Sequence, residues 1–415
     1  MPLPSRLDLG GFPRAFWVLF AGTLVNRLGL VVLPFLTLYL TQEGGLSVER
    51  AGVTLGLYGA GAFAAGFVGG ALADRVGRRP VLLGSLAGGA VAISVIPFVD
   101  GFVPLAGAVF AFGLISDCYR PAVSTAVADL VPEERRTRAY ALIYWAINLG
   151  AAIGPALGGL LAEAVGFRAL FIVDAVAMLS YAAIVLVGVP ETRPEPDTAE
   201  APDPAAATGR RSRAAAPSRM RQALADGGLM GLALVTFSVG TFFMQAYTTL
   251  PLAMAEDGLG AAAYGLAIMV NGGVIVVVSL PLARWAEAYV GPRLLALAIV
   301  LIGVGVGLQS VTQTLAAYVA AIVVWTLGEI LFIPILPVLV ARISPAHLRG
   351  TYQGVYHAGW GLAKMSGPVL GGLVFGAFGS AVLWQACLAL GLATALGVLA
   401  TGLGEPRAAP APGPA

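Results

Sequence analysis

Long apolar runs separated by short polar breaks dominate the chain. A helix needs ~20 mostly apolar residues to cross the hydrocarbon core of a bilayer. Twelve stretches reach that length: 15–41, 50–73, 79–99, 103–130, 137–162, 167–189, 227–254, 262–284, 292–311, 314–341, 350–376 and 381–403. The first run follows Arg6, Asp8 and Arg14 and is long enough to span, so a permanent first helix is expected rather than a cleaved leader. Between the sixth and seventh runs the rhythm stops. Residues 191–225 are rich in Pro, Ala, Asp and Arg and carry no apolar period, which predicts a linker with a short interfacial helix near 217–225. The Ala/Pro-rich residues 406–415 predict a disordered tail. The expected organisation is a six-helix bundle over 1–190, the linker over 191–225, a second six-helix bundle over 226–405, and the tail.

Charge orients this pattern. With both termini inside, only Arg50 and Arg168 fall in outer segments, and Arg27, Arg120 and Lys364 fall within spans. Every other basic residue lies in an inner segment, as the positive-inside rule requires. An odd number of spans would destroy that asymmetry. The linker and both ends are therefore expected on the cytoplasmic side of a bacterial cell membrane.

Composition narrows the function classes. The chain is 58% hydrophobic and 11% charged, against ~25% charge in soluble domains, so its apolar surface must face lipid. A net charge of +2 spread through short loops gives no nucleic-acid surface. Cys118 and Cys387 form no paired motif, and His347 and His357 are too few for a metal cluster. No phosphate-binding GxxxxGK[ST] loop, HExxH or GxSxG occurs. No metal, cofactor or catalytic centre is expected, and the energy for any transport would come from an ion gradient.

The sequence also repeats. At an offset of 213 residues, GPALGG at Gly154–Gly159 lies over GPVLGG at Gly367–Gly372. Pro121 meets Pro334, Pro132 meets Pro345, Arg136 meets Arg349, and Gly166 meets Gly379. Six helices, a linker and six similar helices describe a parallel repeat about an axis along the membrane normal.

Three motifs add detail. The loop after the second run reads GALADRVGRRP, with Gly70, Asp74, Arg75, Gly77, Arg78 and Arg79. Gly77 permits a tight turn, and the charges can pair with neighbouring helix ends. This loop resembles the signature of the major facilitator superfamily, where it helps hold one conformational state by charge pairing. The second-half counterpart, Leu282 to Leu295, is degenerate. The fifth run carries Gly150, Gly154 and Gly158 at four-residue spacing, with Pro155 and Gly159. Such a stripe admits a close helix neighbour, and it is similar to the fifth-helix motif of proton-coupled antiporters in that superfamily. The strings WTLGEILFIP at Trp325–Pro334, RGTYQG at Arg349–Gly354 and YWAINL at Tyr144–Leu149 resemble the LmrP-like multidrug:proton antiporters. In those relatives a membrane carboxylate precedes the Tyr-Trp pair; here Ile143 stands there. The resemblance implies an all-α membrane protein with twelve helices in two pseudo-symmetric bundles.

Charges within lipid-facing runs are the candidate chemistry, because each costs ~2.5–3.5 kcal/mol at mid-helix unless paired or hydrated. Arg27 lies in the first run beside Asn26, Asp117 and Arg120 share a face of the fourth, Asp174 is in the sixth, Glu329 in the tenth and Lys364 in the eleventh. The superfamily fold lines its cavity with the first, fourth, seventh and tenth helices, so Arg27, Asp117, Arg120 and Glu329 are expected to converge there. Glu329 is the leading proton carrier. Asp117 is either a second carrier or the local mate of Arg120 or Arg27. Substrate contacts are expected from Asn26, Tyr144, Trp145, Asn148, Trp325, Tyr356 and Trp360. Gln245, with Phe242, Phe243, Tyr247 and Asn271, reads as packing or interface, and Gln245 is retained as a cavity candidate.

The expected function is proton-coupled export of amphiphilic drugs or small hydrophobic metabolites by a monomer embedded in lipid. Two rivals stand beside it. The string from Asn26 to Gly29, ending at Thr41, resembles the peptide symporters, although the glutamates those carry around the arginine are missing. A membrane sensor or lipid-handling protein is the non-transport alternative.

Overall fold

The structure is a computed structural model that describes residues 11–192, 219–345 and 348–403. Among them the regular structure is entirely helical, and twelve helical stretches are long and apolar enough to cross a membrane. The core of the predicted linker, 193–218, and the predicted tail, 406–415, lie outside the described residues; residues 219–224 at the linker's end are helical.

The first span is two helices, α1 (Arg14–Gly29) and α2 (Val32–Gln42), rather than the single one predicted. Pro34 explains the break. It has no N–H to give the carbonyl of Leu30, four residues back. Leu30 takes φ −74° and ψ 68°, and the Val31 amide turns to the Gly29 carbonyl at 2.8 Å, which is an inverse γ-turn. The second and third spans are α3 (Val48–Val76) and α4 (Arg78–Val95). The fourth is again divided, into α5 (Phe102–Ser116) and α6 (Tyr119–Leu130), with Pro121 in the first turn of α6. Ser85 of α4 donates to the carbonyls of Ile115 at 2.6 Å and Ser116 at 3.1 Å, two groups that this second break releases. The fifth and sixth spans are α7 (Glu133–Val165) and α8 (Arg168–Gly188).

After the described gap come α9 (Gly227–Thr248), the short α10 (Leu250–Glu256), α11 (Ala261–Glu287), α12 (Pro292–Leu308), α13 (Leu315–Ile343), α14 (Arg349–Phe378) and α15 (Ser380–Thr401). Asp226 starts this series by capping α9. Its Oδ1 accepts from the Gly228 amide at 2.9 Å, and its Oδ2 accepts from the Tyr352 hydroxyl at 2.7 Å.

The repeat read from the sequence has a backbone counterpart. Gly166 (φ 90°, ψ 164°) separates α7 from α8, and Gly379 (φ 84°, ψ 171°) separates α14 from α15. Both take a conformation that only glycine adopts cheaply. Pro155 and Pro368 both sit inside the preceding long helix.

Contacts divide the chain into two units, Met1–Leu36 with Leu57–Glu195, and Thr37–Gly56 with Pro196–Ala415. The division sends residues 37–56 to the second unit. In the first unit, α1 packs on α7 and α8, and α4 on α5, α6 and α8. Its core gathers Phe16, Leu19, Leu82, Tyr119, Val127 and Tyr181. The glycine stripe of α7 does what its spacing suggests. A Cβ at Gly150 would strike Arg27, one at Gly154 would stand 3.4 Å from the carbonyl oxygens of Arg27 and Leu28, and one at Gly158 would stand 2.9 Å from Phe35. The stripe therefore seats the broken stretch of the first span. In the second unit, α9 packs on α14, and α12 lies between α13 and α15. Gly303 and Gly391 let α12 and α15 approach backbone to backbone. Residues 48–52 of α3 run against Gly372 of α14 in the same way.

Candidate functional site

Arg27, Asp117 and Arg120 fall together in the first unit, and Glu329 stands in the second. In the first, the break between α5 and α6 turns Asp117 and Arg120 onto one face, and Arg120 Nε meets Asp117 Oδ1 at 3.1 Å. Arg27 donates from Nη2 to the Tyr119 hydroxyl at 2.9 Å. These groups surround a small pocket, partly open to solvent, lined by Asn26, Arg27, Tyr58, Asp117, Tyr119 and Arg120 with Leu30, Phe112, Ser116 and Met178. Asn26 Nδ2 is buried there without a partner. Asp174 of α8 lies nearby, and both its carboxyl oxygens are buried and unpartnered. Three of the four expected cavity charges are thus brought together within one unit.

In the second unit, Glu329 of α13 accepts at Oε2 from Asn271 Nδ2 of α11 at 2.9 Å. The same amide donates to Thr326 Oγ1 at 2.9 Å, whose own proton goes to the Ile322 carbonyl at 2.6 Å. Thr326 is thereby fixed as an acceptor, and it aims Asn271 at the carboxyl group. Trp325, one turn before Glu329, is buried with Nε1 unpartnered. Around it, Phe243 stands 5.9 Å from Trp325 and 5.7 Å from Trp360, and Trp360 Nε1 donates to the Tyr356 hydroxyl at 3.1 Å. Phe332 closes the group, 6.5 Å from Trp360. An acid beside aromatic faces can hold a cation that carries apolar groups.

Other sequence candidates have different surroundings. Gln245 is 2% exposed, and its amide group donates to the Thr241 and Gly367 carbonyls at 2.9 Å each while accepting from Thr249 at 3.0 Å. Its polar atoms are spent on holding α9 to α14, which corrects its place among the cavity candidates. Lys364 is exposed. Tyr144 and Trp145 are exposed on α7, Trp145 stacks on Phe20 at 6.2 Å, and Asn148 donates back to the Tyr144 carbonyl at 2.8 Å.

The signature loop is tightly tied. Gly77 takes φ 116° between α3 and α4. Arg78 Nε pairs with Asp129 Oδ2 of α6 at 3.0 Å, and Arg79 donates to the Leu186 carbonyl at 2.6 Å. Asp74 and Arg75 are exposed, and Gly70 has open space where a Cβ would stand. Sequence reasoning missed Glu191, which it assigned to the linker. Glu191 accepts from the Arg78 amide at 2.9 Å and the Arg79 amide at 3.2 Å, placing a carboxylate on the N-terminus of α4. The available signal was an acid placed directly after a span, opposite a helix start with no acid in its first turn. Asn271 and Phe243, read as packing, belong to the Glu329 group.

The Major Facilitator Superfamily model matches residues 19–257 and 232–415. The chain belongs to this superfamily. It is similar to the MFS-type transporter YqjV of Bacillus subtilis, 26% identical over 88% of this chain and 87% of the relative. It is also similar to the multidrug resistance protein MdtH of Aeromonas salmonicida, 24% identical over 86% of each chain. A third relative is a Na(+), Li(+), K(+)/H(+) antiporter of Planococcus maritimus, 22% identical over 82% of this chain and 84% of its own. Among solved structures, a peptide transporter POT in complex with sulfate superposes with TM-score 0.71 at 17% identity, covering 97% of this chain and 98% of the other. At that identity the likeness is one of fold. This superfamily member is therefore an all-α, multi-pass inner membrane protein with twelve spans, and its relatives are transporters.

Proposed function

We propose that this protein is a proton-coupled exporter of amphiphilic drugs or small hydrophobic metabolites, working by alternating access as a monomer. One observation carries the reading: Glu329, held by Asn271, stands one helical turn from Trp325 in the aromatic group of Phe243, Trp360 and Tyr356. A carboxylate there can take either a proton or the positive end of an amphiphile, and exchange of one for the other is antiport. Trp325, Tyr356 and Trp360 supply apolar contacts, and Asn26, Arg27, Asp117, Arg120, Tyr144, Trp145 and Asn148 are further candidates. The multidrug name of one relative and the antiporter name of another agree with this reading. The distribution of arginines supports a cytoplasmic side for both ends and for residues 191–225.

The test is efflux of tetraphenylphosphonium from energised cells and from proteoliposomes with an imposed pH gradient. Wild-type protein should lower the internal probe, and a protonophore should abolish the effect. Glu329→Gln should reach the membrane in normal amount and lose gradient-driven flux. Full flux in Glu329→Gln refutes the assignment. Energised accumulation of a dipeptide instead would favour the importer reading, and movement of neither would favour the non-transport one.

A further inference from the structure

The pocket in the first unit borders a group that the exchange at Glu329 does not use. Asp174 is 0% exposed, and among the described residues neither of its oxygens has a hydrogen-bond partner. Burial in that state costs an ionised carboxylate far more than a neutral one. The position is shaped by the break in the first span. Gly29 packs against Ala177, and a Cβ on it would stand 3.6 Å from the Val173 carbonyl oxygen, so the break abuts the turn of α8 that carries Asp174. The Val32 amide, in the first turn of α2, approaches the carboxyl group without closing a hydrogen bond. The start of a helix favours an anion.

A cation is also at hand. Arg27 lies within electrostatic reach of Asp174. It donates from Nη2 to Tyr119, while its Nε is buried without a partner. The other charged and titratable groups facing this place are Tyr58 of α3, Asp117 and Arg120 of the fourth span, Tyr119 of α6, and Tyr181 of α8. Asp117 and Arg120 are paired with each other, and Tyr181 is bonded to Thr23 at 3.1 Å. Arg27 Nε is therefore a buried cationic donor still without a partner among the described residues. Leu30, at the break, and Met178, one turn along α8 from Asp174, both line the pocket, so the pocket lies one side chain away from the carboxyl group.

We propose that Asp174 is a second proton site whose counter-ion is Arg27. Asp174 holds its proton while Arg27 is bonded to Tyr119. When the carboxyl O–H bond breaks, the proton passes to water in the pocket, and Arg27 leaves Tyr119 to pair with the carboxylate. The inference rests on the proton-coupled reading and adds a second proton to its cycle. It also gives the break in the first span a purpose, because the helix start that faces Asp174 exists only there.

Infrared difference spectra of the full chain in nanodiscs, recorded between acid and alkaline buffer with and without deuteration, read protonated carboxyl groups directly. Wild-type protein should lose a carboxyl band on alkalinisation that is missing in Asp174→Asn and retained in Glu329→Gln. In Arg27→Gln the band should survive at the alkaline end, because the counter-ion is gone. A wild-type spectrum in Asp174→Asn overturns the proposal. If that variant does not fold, an unchanged pH response of the band in Arg27→Gln overturns it equally. The two readings fail separately. Intact tetraphenylphosphonium flux in Glu329→Gln sinks the coupling at Glu329, whereas a wild-type spectrum in Asp174→Asn alongside a dead Glu329→Gln sinks only the second site.

Discussion

Glu329 accepts a hydrogen bond from Asn271, fifty-eight positions away in the sequence and 2.9 Å away in space. The acid and its tryptophan were legible because a charge in an apolar run is conspicuous. Asn271 was not, because a lone asparagine in a membrane helix is usually satisfied by packing, and nothing in the sequence fixes the rotation of α11. Hydrogen bonds to charged groups contribute ~1.5–3 kcal/mol. Asn271→Leu should therefore cut gradient-driven tetraphenylphosphonium efflux by roughly tenfold or more, with normal expression and a monodisperse profile. Thr326→Val should do less, since Thr326 only aims the amide. Wild-type flux in Asn271→Leu would make the contact incidental. Gln245 teaches the converse. It also is a polar residue in an apolar run, yet its bonds to Thr241, Gly367 and Thr249 leave nothing to offer a substrate.

At the scale of elements, the sequence predicted the spans better than their interruptions. Twelve apolar runs survive as twelve spans because length and hydropathy decide membrane crossing. The breaks at Leu30 and at Asp117–Cys118 were averaged away, since two irregular residues hardly alter a twenty-residue window. Pro34 was the readable cause of the first break. The turn at Gly77 was predicted from its motif, and its geometry allows a sharp check. At φ 116° and ψ 159° the backbone suits glycine alone, and an added Cβ would stand 2.5 Å from Glu191 Oε2. Gly77→Ala should lower stability by about 1–3 kcal/mol, read as a lower thermal midpoint in detergent. It should also loosen Glu191 from the start of α4. Gly84→Ala in the same helix has open space and should cost nothing. Equal midpoints for Gly77→Ala and wild type would mean the turn relaxes freely.

At the scale of the molecule, family and fold were legible, and the substrate was not. The signature loop and the 213-residue offset carry the architecture, which the family match over 19–257 and 232–415 supports. A fold shared with peptide transporters at 17% identity is compatible with many cargoes, because specificity sits in side chains grafted onto it. Orientation is the molecular property that charge alone should decide, and it can be tested without knowing the cargo. The two native cysteines, Cys118 and Cys387, are buried, so wild-type protein should give a low background with a membrane-impermeant maleimide. Ser212→Cys sits among Arg210, Arg211 and Arg213, and should label only after the membrane is permeabilised. Asp100→Cys, exposed between the third and fourth spans, should label in intact cells. Holding a cluster of arginines on the outer face would oppose both the membrane potential and the anionic inner leaflet, at ~2.3 kcal/mol per charge per 100 mV for the first alone. Labelling of Ser212→Cys in intact spheroplasts would therefore mean that the arginines do not set the topology, and the assignment of Arg75, Arg78 and Arg79 to the cytoplasmic face would fall with it.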